Sequence, residues 1–299
     1  MNSAIQKIPQ LALLHNDKAV NFVCKTMEEV EHERLDHLVL EQPHRHHYFT
    51  IIWVEKAEGV HHIDFKSYPL KDNIIYFLSP EQVHYLDIRG KSKGYVLLFT
   101  ADFLESNGIP RNFLTSLGLF FACDEVTPIG ISTQHLAEMK MYVSNIFREF
   151  STGNYLQDES IGSWLKLFLI ACNRLKSETI ITNLPFQNNS SRIIRQFKEL
   201  IDRLYKKFHK VSEYAGEMNI TSNYLNEVIK SETGHSAKEV IQDRIMLEAK
   251  RLAIYSDLQL KEISFELGFE DPAHFSKFFK NLSGTDFSSF REQIRKKYL

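Results

Sequence analysis

The sequence predicts an α+β chain. An amino-terminal antiparallel β-barrel is followed by a helical segment, and then by an all-α part built from a repeated helical hairpin. Three observations predict this. Residues 20–100 alternate short β-branched and aromatic runs with turn-like segments. After about Ser132, apolar residues recur at steps of three and four. The last third of the chain aligns with itself at an offset of 49 to 50 residues.

The strand-like runs are "YFTIIWV", "VHHIDFK", "NIIYFLS", "VHYLDI" and "GYVLLFT". Turn-like "EKAEG", "YPLKDN", "SPEQ" and "RGKSKG" separate them, and such regular short strands suit a small barrel or sandwich. In "TQHLAEMKMYVSNIFREF", Leu136, Met139, Val143, Ile146 and Phe150 form a helical stripe. A second helix over about Gln157 to Lys176 places Ile161, Trp164, Leu165, Phe168 and Leu169 on one side. The stripe of Leu136, Met139, Val143 and Ile146 is read as a homodimer interface, with packing on its own barrel as the alternative. The polar "SETIITNLPFQNNSS" has one proline and no period, which marks a linker. The expected boundaries are residues 1–176, a linker over 177–191, and 192–299.

The repeat is the most informative feature. "VSEYAGEMNITSNYLNEVIKSETG" aligns with "LKEISFELGFEDPAHFSKFFKNLSG", the second copy having one extra turn residue. Asn219 and Gly268 fall at the same place, and both residue types tolerate the left-handed backbone of a tight inter-helix turn. Asn is therefore expected to be tolerated at position 268. Thr221 and Asp271 are N-caps, Pro272 suits the first helical position, and Gly234 and Gly284 suit helix ends. This is a helix-turn-helix written twice. Phe275, Phe278 and Phe279 lie at core spacing. The opposite faces carry Ser222, Asn223, Asn226, Glu227 and Lys230 in one copy, and Ala273, His274, Ser276, Lys277 and Lys280 in the other. Short polar and basic side chains of this kind suit base edges and phosphates of double-stranded DNA. "SAKEVIQDRIMLEAKRLAIYSD" between the copies reads as one helix roughly 30 Å long, close to the spacing of successive major grooves.

Composition sets the outer bounds. The 299 residues are 43% hydrophobic and 25% charged, which is ordinary for a globular chain with room for two domains. From Phe186 to Leu299 there are 19 Lys and Arg against 16 Asp and Glu, while the rest holds 17 against 22. A mildly basic tail on an acidic body fits nucleic acid binding. Three distant cysteines, Cys24, Cys123 and Cys172, fit a reducing compartment. No signal core and no run of eighteen apolar residues occurs, so a soluble cytoplasmic protein that does not enter the membrane is expected. No nucleophile–base pairing and no phosphate-binding glycine loop is present, which argues against an enzyme.

The segment "EAKRLAIYSDLQLKEISFELGFEDPAHFSKFFKNLSGTDFSSFR" closely resembles the carboxy-terminal domain of AraC/XylS-type transcriptional regulators. Glu262-Ile263, Gly268-Phe269, Asp271-Pro272, His274-Phe275, Phe278-Phe279-Lys280 and Gly284 carry the likeness, which extends over Arg192 to Tyr298. Two positions depart from the pattern. Ser288 replaces a usual proline, and Glu227 stands where many relatives carry a basic or small polar residue. The stretch "HRHHYFTIIWV…GVHHIDFKSYPLKDNIIYFLSPEQVHYL" resembles the cupin-like sensor of the same regulators. The resemblance implies a sequence-specific DNA-binding regulator that works with RNA polymerase and answers a small effector in the barrel, with Tyr48, Trp53, Tyr76 and Tyr85 as pocket candidates. His44, His46 and His84 fall near the positions of metal-cupin ligands, and three imidazoles suffice as donors for a divalent ion. The carboxylate that metal cupins add is missing, with Thr50, Ile51 and Ile52 in its place, so no cofactor is expected. His47, His61 and His62 are read as strand-surface residues. The alternative reading is a metal-dependent cupin enzyme fused to a helical domain.

Overall fold

The computed structural model describes residues 10–15, 18–30, 42–120, 128–179 and 189–298. These fall in two compact units, one within Pro9–Asn183 and the other within Leu184–Leu299. Cys123 and residues 180–188 of the expected linker lie outside the described residues.

The first unit is an antiparallel sheet covered by helices. Its strands are β4 (Phe22–Thr26), β6 (Phe49–Ile63), β7 (Lys66–Pro69), β8 (Ile74–Leu78), β9 (His84–Phe99) and β10 (Ile129–Gly130), in the order β10-β8-β6-β9-β4 with β7 paired to β6. Short strands β1 (Gln10–Leu11) and β5 (Arg45–His46) pair with each other, as do β2 (Leu14–His15) and β3 (Lys18–Ala19). The helices are α1 (Ala101–Ser106), α2 (Arg111–Leu117), α3 (Thr133–Thr152) and α4 (Gln157–Thr179).

Two of the expected turns are absent. "EKAEG" lies inside β6 and "RGKSKG" inside β9, and the two long strands pair along nearly their whole length. The register shifts between Val54 and Lys56 and again between Lys56 and Glu58. A bulge of this kind interrupts the alternation just as a turn does, which is why the sequence reads as two strands. Glycine permits the close approach there. A Cβ on Gly94 would lie 2.0 Å from the Trp53 carbonyl oxygen, and one on Gly59 would lie 1.9 Å from that of Asp87.

Alternation along the strands divides the side chains between two faces. Phe22, Cys24, Ile51, Trp53, Ile75, Phe77, Leu97 and Phe99 bury against α1 to α4. Val23, Thr50, Ile52, Val96 and Leu98 line a cavity on the other face. Met139, Val143 and Ile146 belong to the helix-covered core, with Leu136 packed at its edge, so the stripe expected as a dimer seam is used inside its own unit. An apolar stripe of three- and four-residue spacing looks the same whether a sheet or a second copy covers it.

Among the described residues the second unit holds seven helices: α5 (Asn189–Leu204), α6 (Val211–Glu217), α7 (Ser222–Thr233), α8 (Ala237–Tyr255), α9 (Leu260–Glu266), α10 (Pro272–Ser283) and α11 (Phe287–Tyr298). The repeat is realised as two helix-turn-helix units, α6–α7 and α9–α10. Asn219 has φ 54° and Gly268 φ 80°, so both turns pass through the left-handed region. Thr221 accepts from the Tyr224 N–H and Asp271 from the Ala273 N–H, and Gly234 and Gly284 close their helices with φ 76° and 78°. Phe275 and Phe279 are fully buried. The 19 residues of α8 span about 28 Å and join the two units.

Gly268 does more than turn the chain. A Cβ there would lie 1.8 Å from the Lys206 carbonyl oxygen, at the end of α5. His209 Nε2 donates to the Leu267 carbonyl at 2.9 Å, and Lys206 pairs with Glu266. The segment after α5 therefore seats directly on the second turn, and the expectation that Asn suits position 268 is corrected: its φ would fit but its Cβ would not. Asn219 already carries a side chain at the matching position.

Two outcomes follow for urea unfolding. Val143→Glu places a charge in the first core and costs roughly 3–5 kcal/mol, the scale of an uncompensated buried charge. A folded, fully stable variant would return the stripe to the surface. Gly268→Ala and Gly268→Asn both cost roughly 2–5 kcal/mol through positive φ and overpacking, whereas Asn219→Gly changes stability by less than about 1 kcal/mol. Equal tolerance of Ala at 268 and Gly at 219 would contradict the seating on Lys206.

Candidate nucleic-acid interface and amino-terminal cavity

The first turns of α7 and α10 project away from the core because their apolar positions, Leu225, Val228 and Ile229 in one and Phe275 and Phe279 in the other, fix the buried side. On the outer side Asn223, Glu227 and Lys230 of α7, and Ala273, His274, Lys277 and Lys280 of α10, are exposed, while Ser222 and Ser276 are half-buried. Asn226 differs from this set. It is half-buried, and its Oδ1 accepts from the Ala237 N–H at 3.1 Å, at the start of α8. Its carboxamide is therefore engaged in holding α7 to α8. Tyr224, which the polar pattern of α7 does not single out, is 39% exposed there and is the repeat partner of His274. Strict application of the 50-residue offset would have paired the two.

The connection between the two faces is stiffened from inside. On α8, Arg244, Glu248 and Arg251 are buried. Arg244 donates from Nε to Asp202 of α5 at 3.0 Å and from Nη1 to Glu248 at 3.1 Å, and its guanidinium lies 3.8 Å from the Tyr205 ring centroid. Arg251 completes the cluster, donating to Glu248 at 3.3 Å. Burial alone would raise the Glu248 carboxyl; Arg244 and Arg251 outweigh it and hold the group below the usual carboxylate range. At the far end Arg291 of α11 donates to the carbonyls of Ala253, Ser256 and Leu258 and so caps α8.

The cavity of the first unit measures about 340 Å³. Aliphatic walls from Leu13, Ile52, Leu86 and Leu98 meet a polar end made by His44, His46, Tyr48, Thr50 and His84. Of the four aromatic pocket candidates, Tyr48 lines it. Trp53 instead faces the helix-covered core, Tyr76 is buried in the cluster that holds Ile52, Leu86 and Val96 without lining the cavity itself, and Tyr85 stacks on His62 at 4.3 Å. The reading of His61 as a surface residue is overturned, since it is fully buried and its Nε2 lies 3.1 Å from His84 Nδ1. The bulge in β6 is the reason. Inward positions are Ile52 and Val54 before it but Ala57, His61 and Ile63 after it, so alternation counted from the start of the strand gives the wrong face. His47 is exposed and pairs with Glu81, and His62 is half-buried.

Comparison with known proteins agrees with this geometry. Residues 214–293, from within α6 to within α11, match the family described as "Helix-turn-helix domain". The Msm operon regulatory protein of Streptococcus mutans serotype c is 32% identical over 122 residues, 40% of this chain and 44% of that protein. The chain thus spans less than half the length of that relative. An uncharacterized HTH-type transcriptional regulator of Bacillus subtilis, YfiF, is 23% identical over 83% of this chain and 78% of its own length. The HTH-type transcriptional activator RhaS of Yersinia pestis is 21% identical over 84% and 89%. A structure of ToxT from Vibrio cholerae, bound to an unsaturated fatty acid, aligns over 93% of this chain and 97% of its own with 14% identity and a TM-score of 0.41. Residues 214–293, with their two capped helix-turn-helix units, are thus a helix-turn-helix domain, and the relatives that the chain resembles over most of its length are named as transcriptional regulators.

Proposed function

We propose that α7 and α10 enter two successive major grooves of one duplex, with α8 setting their separation, and that the chain thereby recognises a specific bipartite sequence. The observation that carries this reading is the pair of outward faces joined by a single helix about 28 Å long with a buried charge cluster. Asn223 and Glu227 are the base-reading candidates of the first face, and Ala273, His274 and Ser276 those of the second. Glu227 suits acceptance from a cytosine amino group. Lys230, Lys277 and Lys280 meet phosphate. Regulation acts through RNA polymerase in the cytoplasm, as suits a relative named as a transcriptional activator; no helix among the described residues is long and apolar enough to cross a membrane.

The cavity of the first unit is read as an effector site for a small molecule with an apolar body, because its walls are mainly aliphatic, with His44, His46 and His84 clustered in one part of them and Lys25 also on the lining. Pairing with a second copy uses the outer side of α3 and α4, where Met141 and Leu167 stay exposed.

Selection from random duplex DNA, followed by titration at several salt concentrations, tests the interface. A bipartite consensus is expected. Lys277→Ala and Lys280→Ala each weaken binding to it and lower the slope of log affinity against log salt by about 1. Slopes equal to that of the wild-type chain would remove both lysines from the phosphate contacts.

A further inference from the structure

The polar end of the amino-terminal cavity holds an unusual density of imidazole. His44, His46 and His84 are buried, and each offers a ring nitrogen within 4.8 Å of the other two. His46 Nε2 and His84 Nε2 lie 2.6 Å apart, and His61 Nε2 stands behind His84 at 3.1 Å from Nδ1. Two strands, β5 and β9, and the bridge between His44 and His84 converge to place the group, so it is built on rigid backbone. From these observations we infer that His44, His46 and His84 bind a divalent transition-metal ion of imidazole preference, of which zinc is the type, in the cavity wall. This goes beyond the regulatory reading and does not rest on DNA binding or on an organic effector.

The hydrogen-bond pattern suits a cation. The carbonyl of Gln42 can only accept, so His44 donates from Nδ1 at 2.9 Å, which leaves the Nε2 lone pair for a ligand. His84 behaves in the same way if its Nδ1–H donates to His61 Nε2, an outer partner of the kind that orients metal-bound histidine. His46 Nδ1 has no hydrogen-bond partner among the described residues, nor does His61 Nδ1 or Thr50 Oγ1. In the metal-free chain one proton between His46 and His84 bridges two donors that an ion would otherwise bridge.

Size and composition are also consistent. Zinc–nitrogen bonds of about 2.0–2.1 Å in a tetrahedron require ligand nitrogens roughly 3.3 Å apart. The His46–His84 separation must then open by roughly 0.7 Å, and the ligand nitrogens of all three residues lie within 4.8 Å of one another. Among the described residues no carboxylate belongs to the group. Glu55, next along β6, is paired with Lys93 and Lys140 instead. The three neutral ligands leave the ion its double positive charge, and the cavity gives the fourth position room for water or an anionic group.

The test is titration of the full metal-free chain with Co²⁺ in the absence of DNA, read by the visible absorption of tetrahedral cobalt, with Zn²⁺ competition. One Co²⁺ per chain is expected. His46→Gln and His84→Gln lower the affinity at least 100-fold, His61→Ala lowers it about 10- to 100-fold, and His62→Ala leaves it unchanged. No binding to the wild-type chain overturns the inference, and so does binding that persists in both Gln variants. X-ray absorption of the cobalt-loaded wild-type chain decides the matter without any variant: imidazole ligation supports the site, and a shell of water and carboxylate oxygen alone overturns it.

Discussion

Two reading heads can recognise one stretch of duplex only if the distance and rotation between them are fixed. In the proposed mode of binding that constraint falls on α8 and what grips it. Arg244, Glu248 and Arg251 are removed from water along one side of the helix, and Asp202 and Tyr205 tie the same cluster to α5. A cluster of this kind adds little net stability over apolar residues of the same volume, because desolvation opposes the Coulomb attraction. Its geometry is stringent, however, and a sliding or rotating α8 would leave charges buried without partners. Arg291 closes the end of the helix, and the Lys206 carbonyl seats the second turn at Gly268. The tilt of α10 is thus referred to the same segment that leads into the first hairpin.

The amino-terminal unit follows a different principle. Its long strands β6 and β9 serve two faces, one filled by helices and one left with a cavity. Buried imidazoles are gathered there, and ring nitrogens without a hydrogen-bond partner among the described residues give the cavity its chemical character. An aliphatic wall beside several lone-pair donors favours a ligand with an apolar body and an electron-poor or hydrogen-bonding end.

What the sequence made legible was local. Caps, the left-handed turn residues and the spacing of Phe275 and Phe279 are set within a few residues of chain, and reading them twice at one offset gave both hairpins. What it hid was non-local. Alternation broken by a bulge looks the same as alternation broken by a turn, so β6 and β9 were each divided in two and His61 was assigned to the wrong face. The stripe on α3 was recognised as apolar, but periodicity does not name the partner, which proved to be the unit's own sheet. Asn226 looked like a base reader because it sits on the polar side of α7, and only the neighbouring start of α8 shows where its carboxamide goes. Gly268 could be read for its φ but not for the Lys206 carbonyl lying over it.

The central claim is that α8 holds the two recognition helices at one fixed separation. It is tested most directly by binding the full chain to its selected site and to the same site with five base pairs inserted between the halves. That insertion turns the second half about half a helical turn away from the first. A rigid α8 predicts that affinity falls to the level of unrelated DNA, a loss of roughly 1,000-fold or more. Undiminished affinity for the lengthened site would contradict the account.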